Sequence, residues 1–245
     1  MKLNEISEQK NGSVQTISWR RLEKKNAFTA SLASELGSVI ERIGRDESVS
    51  AIFLDPGIGI FSSGWDLAEI AKARKEGISE CNSLVDSGRA CLDKIANSPC
   101  LTIAICRGST FGFGISMICN SDVVLVQSSA KFILPELDAG IVPASVLGDL
   151  VSKVGLSRAL RWSILGHIEL SEAIESGLVT DIYSEQEIDL VKARIVDRLN
   201  SMRISQVRRT INLARLMRNL SLNEVKSAGD NAAKQILSSE SWIDQ

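Results

Sequence analysis

The 245-residue chain has almost no surplus charge: 28 Lys and Arg stand against 30 Asp and Glu, a formal net charge of −2. That balance excludes a protein held to nucleic acid or a membrane surface by charge alone and leaves a small molecule as the expected ligand. Histidine is nearly absent. The one present, His167, lies in a turn-like Leu165-Gly166-His167 read as solvent-facing, so a serine nucleophile would have no imidazole beside it to act as base. The five cysteines, Cys81, Cys91, Cys100, Cys106 and Cys119, are odd in number and never spaced Cys-x-x-Cys. Neither a disulfide framework nor a zinc site is suggested, and no metal or other cofactor is expected. No apolar run reaches membrane-spanning length, and Met1 to Glu8 contains no apolar stretch of the signal-peptide kind. The expectation is a soluble, untargeted protein of a reducing cytoplasm.

What is present centres on Gly108-Ser109-Thr110-Phe111-Gly112-Phe113-Gly114-Ile115-Ser116, which follows the apolar run Leu101 to Cys106 and leads into Met117-Ile118-Cys119. This reads as strand, glycine-rich turn and helix start, a place where unpaired backbone N–H groups point outward and can hold an anion. Upstream, Val14 to Trp19 alternates like a strand. Leu32, Leu36, Ile40 and Ile43 form one helical stripe, with Thr29 or Ser31 available as its cap. Ala51 to Leu54 reads as a buried strand, and Phe61-Ser62-Ser63-Gly64-Trp65-Asp66-Leu67 as a second glycine-containing turn before a helical stretch from 68 to 98 interrupted at Gly77 and Gly88. Asp122 to Gln127 is another strand; Pro135 then ends an extended stretch and places Glu136 in a loop. Val151 to Leu165 and Ser171 to Gly177 read as helices, and Glu187 to Leu237 has helical spacing with no proline. Alternating strands and helices followed by helices alone predict a layered α/β core with an all-helical C-terminal region.

Several of these pieces, in this order, resemble the enoyl-CoA hydratase/isomerase (crotonase) family. They are Asn26-Ala27-Phe28, the Phe61 to Leu67 turn, the Gly108 to Gly114 loop ending near Asp122, and Pro135-Glu136-Leu137-Asp138-Ala139-Gly140-Ile141-Val142-Pro143; Gly166 to Val179 follows more loosely. The resemblance implies a spiral of ββα units over 1–187, a helical trimerisation region over 188–245, and homotrimers often paired into hexamers. It also implies an acyl-CoA or acyl-carrier thioester as substrate, with the thioester oxygen bound by the backbone N–H groups of Trp65 and Phe113. Gly112, Ser116, Asp66, Leu67 and Pro143 fall in the matching acyl-site segments. Arg21, Lys24, Lys25 and the carbonyl groups around Ile60 and Ser63 stand where the family holds the nucleotide end of CoA, and the resemblance makes Ala27 a further substrate-binding residue.

The chemistry turns on which carboxylates are present. A thioester α-proton is too weakly acidic for neutral pH unless the enolate oxygen is stabilised, and two prepositioned amides can do that. Glu136 matches the second glutamate of the family's hydratases and is the expected acid/base, its pKa raised by an apolar surrounding. Ser116 stands where the first glutamate would be. Water addition suits two carboxylates, whereas moving a double bond between C3–C4 and C2–C3 needs one base. The single glutamate therefore resembles the Δ3,Δ2-enoyl-CoA isomerase type. A hydratase or decarboxylase, or a non-catalytic acyl-CoA- or RNA-binding relative, are the alternatives. The last of these draws on the series Arg203, Arg208, Arg209, Arg215 and Arg218. Ile204, Val207, Ile211, Leu213, Leu216 and Met217 exceed what one stripe needs against its own domain, so part of the tail is expected to face another subunit.

Overall fold

A computed structural model describes residues 5–218 and 220–238; the last part of the C-terminal region, 239–245, and the first four residues of the N-terminal stretch lie outside them. The chain opens with β1 (Ile6–Asn11), turns, and pairs it antiparallel with β2 (Val14–Trp19). Next come α1 (Ala30–Arg45), β3 (Ala51–Leu54), α2 (Leu67–Glu76), α3 (Ile78–Ala96) and β4 (Leu101–Cys106). The glycine-rich segment forms β5 (Thr110–Phe111) and α4 (Phe113–Cys119), followed by β6 (Val123–Gln127), β7 (Phe132–Ile133), α5 (Ala144–Val154), α6 (Leu156–Leu165), β8 (His167–Ile168), α7 (Leu170–Glu175) and β9 (Asp181–Tyr183). Helices α8 (Glu185–Asn200), α9 (Ile204–Met217) and α10 (Leu222–Ser238) complete the described chain. The main sheet runs β1-β2-β3-β4-β6-β9, parallel beyond its first pair, and β5-β7-β8 form a small second sheet.

Period-two alternation explains why the main sheet is covered on both faces. Ile17, Ile52, Leu54, Ala104, Val124 and Val126 turn toward α1, α3 and α4. Val14, Ala51, Phe53, Ile103, Ile105 and Leu125 turn the other way, where Ile188, Val196 and Leu199 of α8 close over them. The expected 187/188 boundary thus falls within the first turn of a helix packed on the sheet. In α1 the stripe Leu32, Leu36, Ile40 and Ile43 is buried, and Thr29 caps the helix by accepting from the Leu32 N–H at 3.1 Å.

Four departures from the sequence reading have local causes. The first strand went unanticipated because it buries only Ile6 and is otherwise a polar sheet edge. Gly77, with φ +120, does break the 68–98 stretch, but Gly88 lies inside continuous α3. A Cβ at Gly88 would sit 2.5 Å from Trp65 Cζ2, so this glycine serves packing rather than chain reversal. The helix expected from Val151 begins earlier, at Ala144, and is split at Gly155. Strand β9 adds a sheet edge between the last two expected helical regions.

Two of the basic side chains are consumed by the fold. Arg208 donates to the carbonyls of Val49 at 2.8 Å, Gly44 at 3.1 Å and Asp46 at 2.5 Å, closing the C-terminal end of α1. Arg215 reaches Asp122 at 2.5 Å. At the opposite end of the strands Asp55, 4% exposed, accepts from Arg107 at 3.1 and 3.2 Å, from Lys192 of α8 at 2.8 Å and from the Gly57 N–H at 3.0 Å. Burial pushes its pKa up, but the Arg107 hydrogen bonds and the Lys192 charge outweigh it and hold the carboxyl below its ordinary value. This stabilises the fold at neutral pH, and the contribution is lost as pH falls through the lowered folded-state pKa. Asp55→Asn, which strands two cations, is expected to cost about 3–5 kcal/mol at pH 7, read by urea unfolding, with the difference from wild type shrinking in acid.

Candidate active site

Two loops are brought together by backbone pairing. The Phe28 N–H donates to Gly64 O at 2.8 Å and the Asp66 N–H donates to Phe28 O at 2.8 Å, a parallel bridge between Phe28 and Trp65. In such a bridge the flanking peptides face the partner and the middle residue's own N–H faces away. Trp65 N–H is therefore turned from Phe28 and has no acceptor among the described residues. On the facing loop, the Phe111 N–H donates to Ser62 O at 2.8 Å and the Gly112 N–H to Ile133 O at 3.3 Å. Phe113 is the first residue of α4, where no intrahelical acceptor exists, so its N–H is also without a partner in the described chain. Gly64 lies against this loop: a Cβ there would be 3.4 Å from Phe111 O and 3.7 Å from Phe113 N.

The side chains of these two residues lock the loops in register. Trp65 and Phe113 stack with ring centroids 4.6 Å apart, and contacts run on from Phe113 to Phe28 at 5.2 Å, from Phe28 to Trp19 at 5.7 Å and from Trp19 to Phe61 at 5.1 Å. Each pair adds stability beyond the area it buries, about 0.5–1.5 kcal/mol. The aromatic bulk at these positions thus ties the loops that carry the two N–H groups to the core.

Glu136 approaches from the loop after β7. Gly112 has φ +44, a backbone conformation that favours glycine, and a Cβ on it would lie 2.5 Å from Glu136 Oε1 and displace the carboxylate. Glu136 Oε2 is buried without a hydrogen-bond partner. Burial raises the pKa of the carboxyl, and the hydrogen bond from its own backbone N–H offsets only part of this. Ser116, in α4, is 1% exposed, and its hydroxyl too is unpartnered.

These groups share a cavity of about 380 Å³. Ser63, Trp65, Leu67, Gly112, Phe113, Ser116, Glu136 and Pro143 all line it, so most of the sequence-derived acyl-site residues converge. Arg21, Lys24, Lys25, Ala27, Ile60 and Asp66 do not line it. Arg21 donates to Ala27 O at 2.6 Å and to Asp66 at 3.2 Å, while Asp66 also caps α2 through the Ala68 N–H at 3.0 Å; this guanidinium braces the loop and is spent in the fold. Ile60 O accepts from the Asn26 side chain at 2.7 Å. Lys24 and Lys25 remain exposed at the rim, joined to it where Ser63 donates to their carbonyls at 3.2 and 3.1 Å.

One wall was missed from the sequence. Ile70, Ala73 and Arg74 of α2 and Cys81, Leu84, Val85, Gly88 and Leu92 of α3 line the cavity. The spacing of Cys81, Leu84, Val85, Gly88 and Leu92 is a helical face, a signal masked by the charged residues between Lys72 and Glu80. A larger cleft of about 510 Å³ lies between α5 and α9, but its carboxylates, Asp122 and Asp149, are already matched to Arg215 and Arg89.

Comparison with known proteins agrees with this architecture. The model of the family described as enoyl-CoA hydratase/isomerase matches residues 9–240. The chain belongs to that family. It is 31% identical over 176 residues to the carnitinyl-CoA dehydratase of Escherichia coli K12, covering 65% of this chain and 66% of that protein. It is 28% identical over 194 residues to the mitochondrial methylglutaconyl-CoA hydratase of Mus musculus, covering 78% of this chain and 61% of that one. The chain thus spans just under two thirds of the length of these curated relatives. An enoyl-CoA hydratase/isomerase from Marinobacter aquaeolei has a similar structure, with a TM-score of 0.84 at 25% identity over 98% of this chain and 94% of that one.

The buried carboxyl makes a thermodynamic prediction. Because the folded state raises the Glu136 pKa, it binds that proton more tightly than the unfolded chain does, and stability declines as pH rises from the unfolded to the folded value. Glu136→Gln, which has no charge to desolvate, is expected to be more stable than wild type at pH 8 and nearly equal to it at pH 4, measured by chemical denaturation. A difference from wild type that is the same at pH 4 and pH 8 would show that the carboxylate is well solvated.

Proposed function

We propose that the cavity binds an acyl-CoA thioester, with an acyl-carrier thioester presenting the same reacting group, and that Glu136 transfers the proton at its C2. The observation that carries this reading is one buried carboxylate of raised pKa beside two backbone N–H groups with no acceptor of their own. The N–H groups of Trp65 and Phe113 would hold the thioester oxygen as it gains charge, each such donor being worth about 3 kcal/mol of barrier. The exposed Lys24 and Lys25 at the rim suit the phosphates of the nucleotide end.

Two fates of the enolate are then open. Reversible water addition across C2–C3 is supported by the names of two relatives, a dehydratase and a hydratase, and we take it as the principal reaction. Isomerisation of a 3-enoyl to a 2-enoyl thioester is the second reading, supported by Glu136 being the one carboxylate among the residues around this cavity. For both, the carboxylate form is the base, so the rate falls as pH drops through a pKa above the ordinary glutamate value. Glu136→Gln is expected to lower turnover about 10²–10⁴-fold. A panel of 2-enoyl-, 3-enoyl- and 3-hydroxyacyl-CoA, followed by thioester-conjugation absorbance, separates the two fates, and full activity in the variant would end both readings.

Assembly belongs to the same proposal. Leu216 is 73% exposed and Leu222 72% exposed on the last two helices, surface that a closed trimer, or two trimers stacked as a hexamer, would cover. Light scattering at micromolar concentration is expected to give three or six times the 26.6 kDa chain mass; a single-chain mass would exclude it.

A further inference from the structure

Helix α4 separates two cavities. Phe113 and Ser116, in its first turn, line the cavity that holds Glu136, and Cys119, at its end, lines the cleft of about 510 Å³ between α5 and α9. The two carboxylates of that cleft are saturated. Asp122 accepts from the Thr102 N–H and hydroxyl, each at 2.9 Å, and from Arg215 Nη2 at 2.5 Å and Nε at 3.2 Å. Asp149 accepts from the two terminal nitrogens of Arg89 at 2.9 and 3.2 Å and from the Asn120 side chain at 3.2 Å. Cationic groups in the same cleft have donors to spare. Lys153, half-buried in the last turn of α5, donates to Ser121 O at 3.4 Å, long for an ammonium group, and forms no ion pair among the described residues. Arg218 Nη2 stands 3.7 Å from Asp122 Oδ1, a carboxylate whose charge Arg215 already matches. Arg215 Nη1 is buried with no acceptor among the described residues. The ends of α4, α5 and α9 contribute partial negative charge here, roughly half a unit each, which falls short of the two full charges of Lys153 and Arg218. Burial pushes the Lys153 pKa down, and the Arg218 charge acts in the same direction.

We propose that this cleft is a second ligand site, and that it binds a small phosphomonoester by its phosphoryl group. The dianion brings two charges, one for each cation without a carboxylate of its own. Its three terminal oxygens suit three sets of donors: the remaining Nζ hydrogens of Lys153, the fork of Arg218 and the unused Nη1 of Arg215. A monocarboxylate would offer one charge and two oxygens. A cation would meet carboxylates already filled with donors. Beside the charged groups, Leu101, Ile211 and Ala214 give the cleft an apolar wall suited to the carbon body of an ester. The site stands apart from the enolate chemistry, since none of these residues lines the cavity of Glu136.

The test is calorimetric titration of the whole chain with phenyl phosphate, inorganic phosphate and succinate. Phenyl phosphate is expected to bind once per chain and more tightly than the other two. Lys153→Met should weaken it about tenfold or more, the scale of one lost charge-assisted hydrogen bond, and Arg218→Gln should act in the same direction. Lys153→Arg, which keeps the charge, should retain most of the affinity. Because Lys153 has no carboxylate partner, Lys153→Met should melt no lower than wild type when no phosphate is added. Phenyl phosphate should then raise the melting temperature of wild type and leave that of Lys153→Met nearly unchanged. Failure of wild type to bind phenyl phosphate, equal affinity in wild type and both charge-removing variants, or a lowered melting temperature of Lys153→Met without ligand would overturn the inference. Tighter binding of succinate would overturn the phosphoryl assignment. Inorganic phosphate bound as tightly as phenyl phosphate would reduce the ligand to the free ion and overturn the ester. Binding kept in Lys153→Met but lost when Lys24→Gln and Lys25→Gln are combined would place the phosphoryl group at the rim of the Glu136 cavity, and this too would overturn the second site.

Discussion

The close approach of two backbone turns, at Gly64 and at Gly112, is the constraint on which the site depends. Both turns hold left-handed backbone conformations that favour glycine, φ +86 at Gly64 and +44 at Gly112, and at Gly112 an added carbon would also displace the Glu136 carboxylate. Held by these turns, Trp65 and Phe113 line one cavity with the Glu136 carboxylate. The bridge to Phe28 fixes one turn, the pairing of β5 with β7 fixes the other, and the aromatic chain from Trp65 to Phe61 fastens both to the interior.

Much of this was legible in the amino-acid order. The stripe of α1 and the buried strands announced themselves through period, and the glycine turns through their residues. Glu136, Trp65, Phe113 and Ser116 were recognisable from family resemblance and do meet in one cavity. What stayed hidden was long-range partnership. Arg21 looked available for a phosphate, yet Ala27 and Asp66 take it, and nothing in a run of basic residues tells which one folds inward. The role of Gly88 depends on an indole 23 positions away in the chain. The wall contributed by α3 was obscured because its apolar face alternates with residues suited to water.

The nearly neutral total charge has a spatial counterpart. Arg21, Arg107, Arg208 and Arg215 each tie segments distant in sequence, and their partners are carboxylates and backbone carbonyls. Charge is used as connective material: Arg107 and Lys192 join α8 to the end of β3 through Asp55, and Arg208 joins α9 to the end of α1. Such buried attachments cost desolvation and are retained only where the geometry is well met. Two basic side chains of α9, Arg208 and Arg215, are thereby drawn away from the surface that a polyanion would need.

The placement of the tryptophans gives the molecule an optical property. Trp19 and Trp162 are fully buried, and Trp242 lies outside the described residues. Trp65, half-buried, forms part of the cavity wall and stacks on Phe113. Indole emission depends on the polarity around the ring, so a molecule that dries this cavity changes the light from Trp65, while Trp19 and Trp162 keep the spectrum of an interior that loosens only when the whole chain unfolds. Occupancy and folding are thus written at different wavelengths by residues of the same kind.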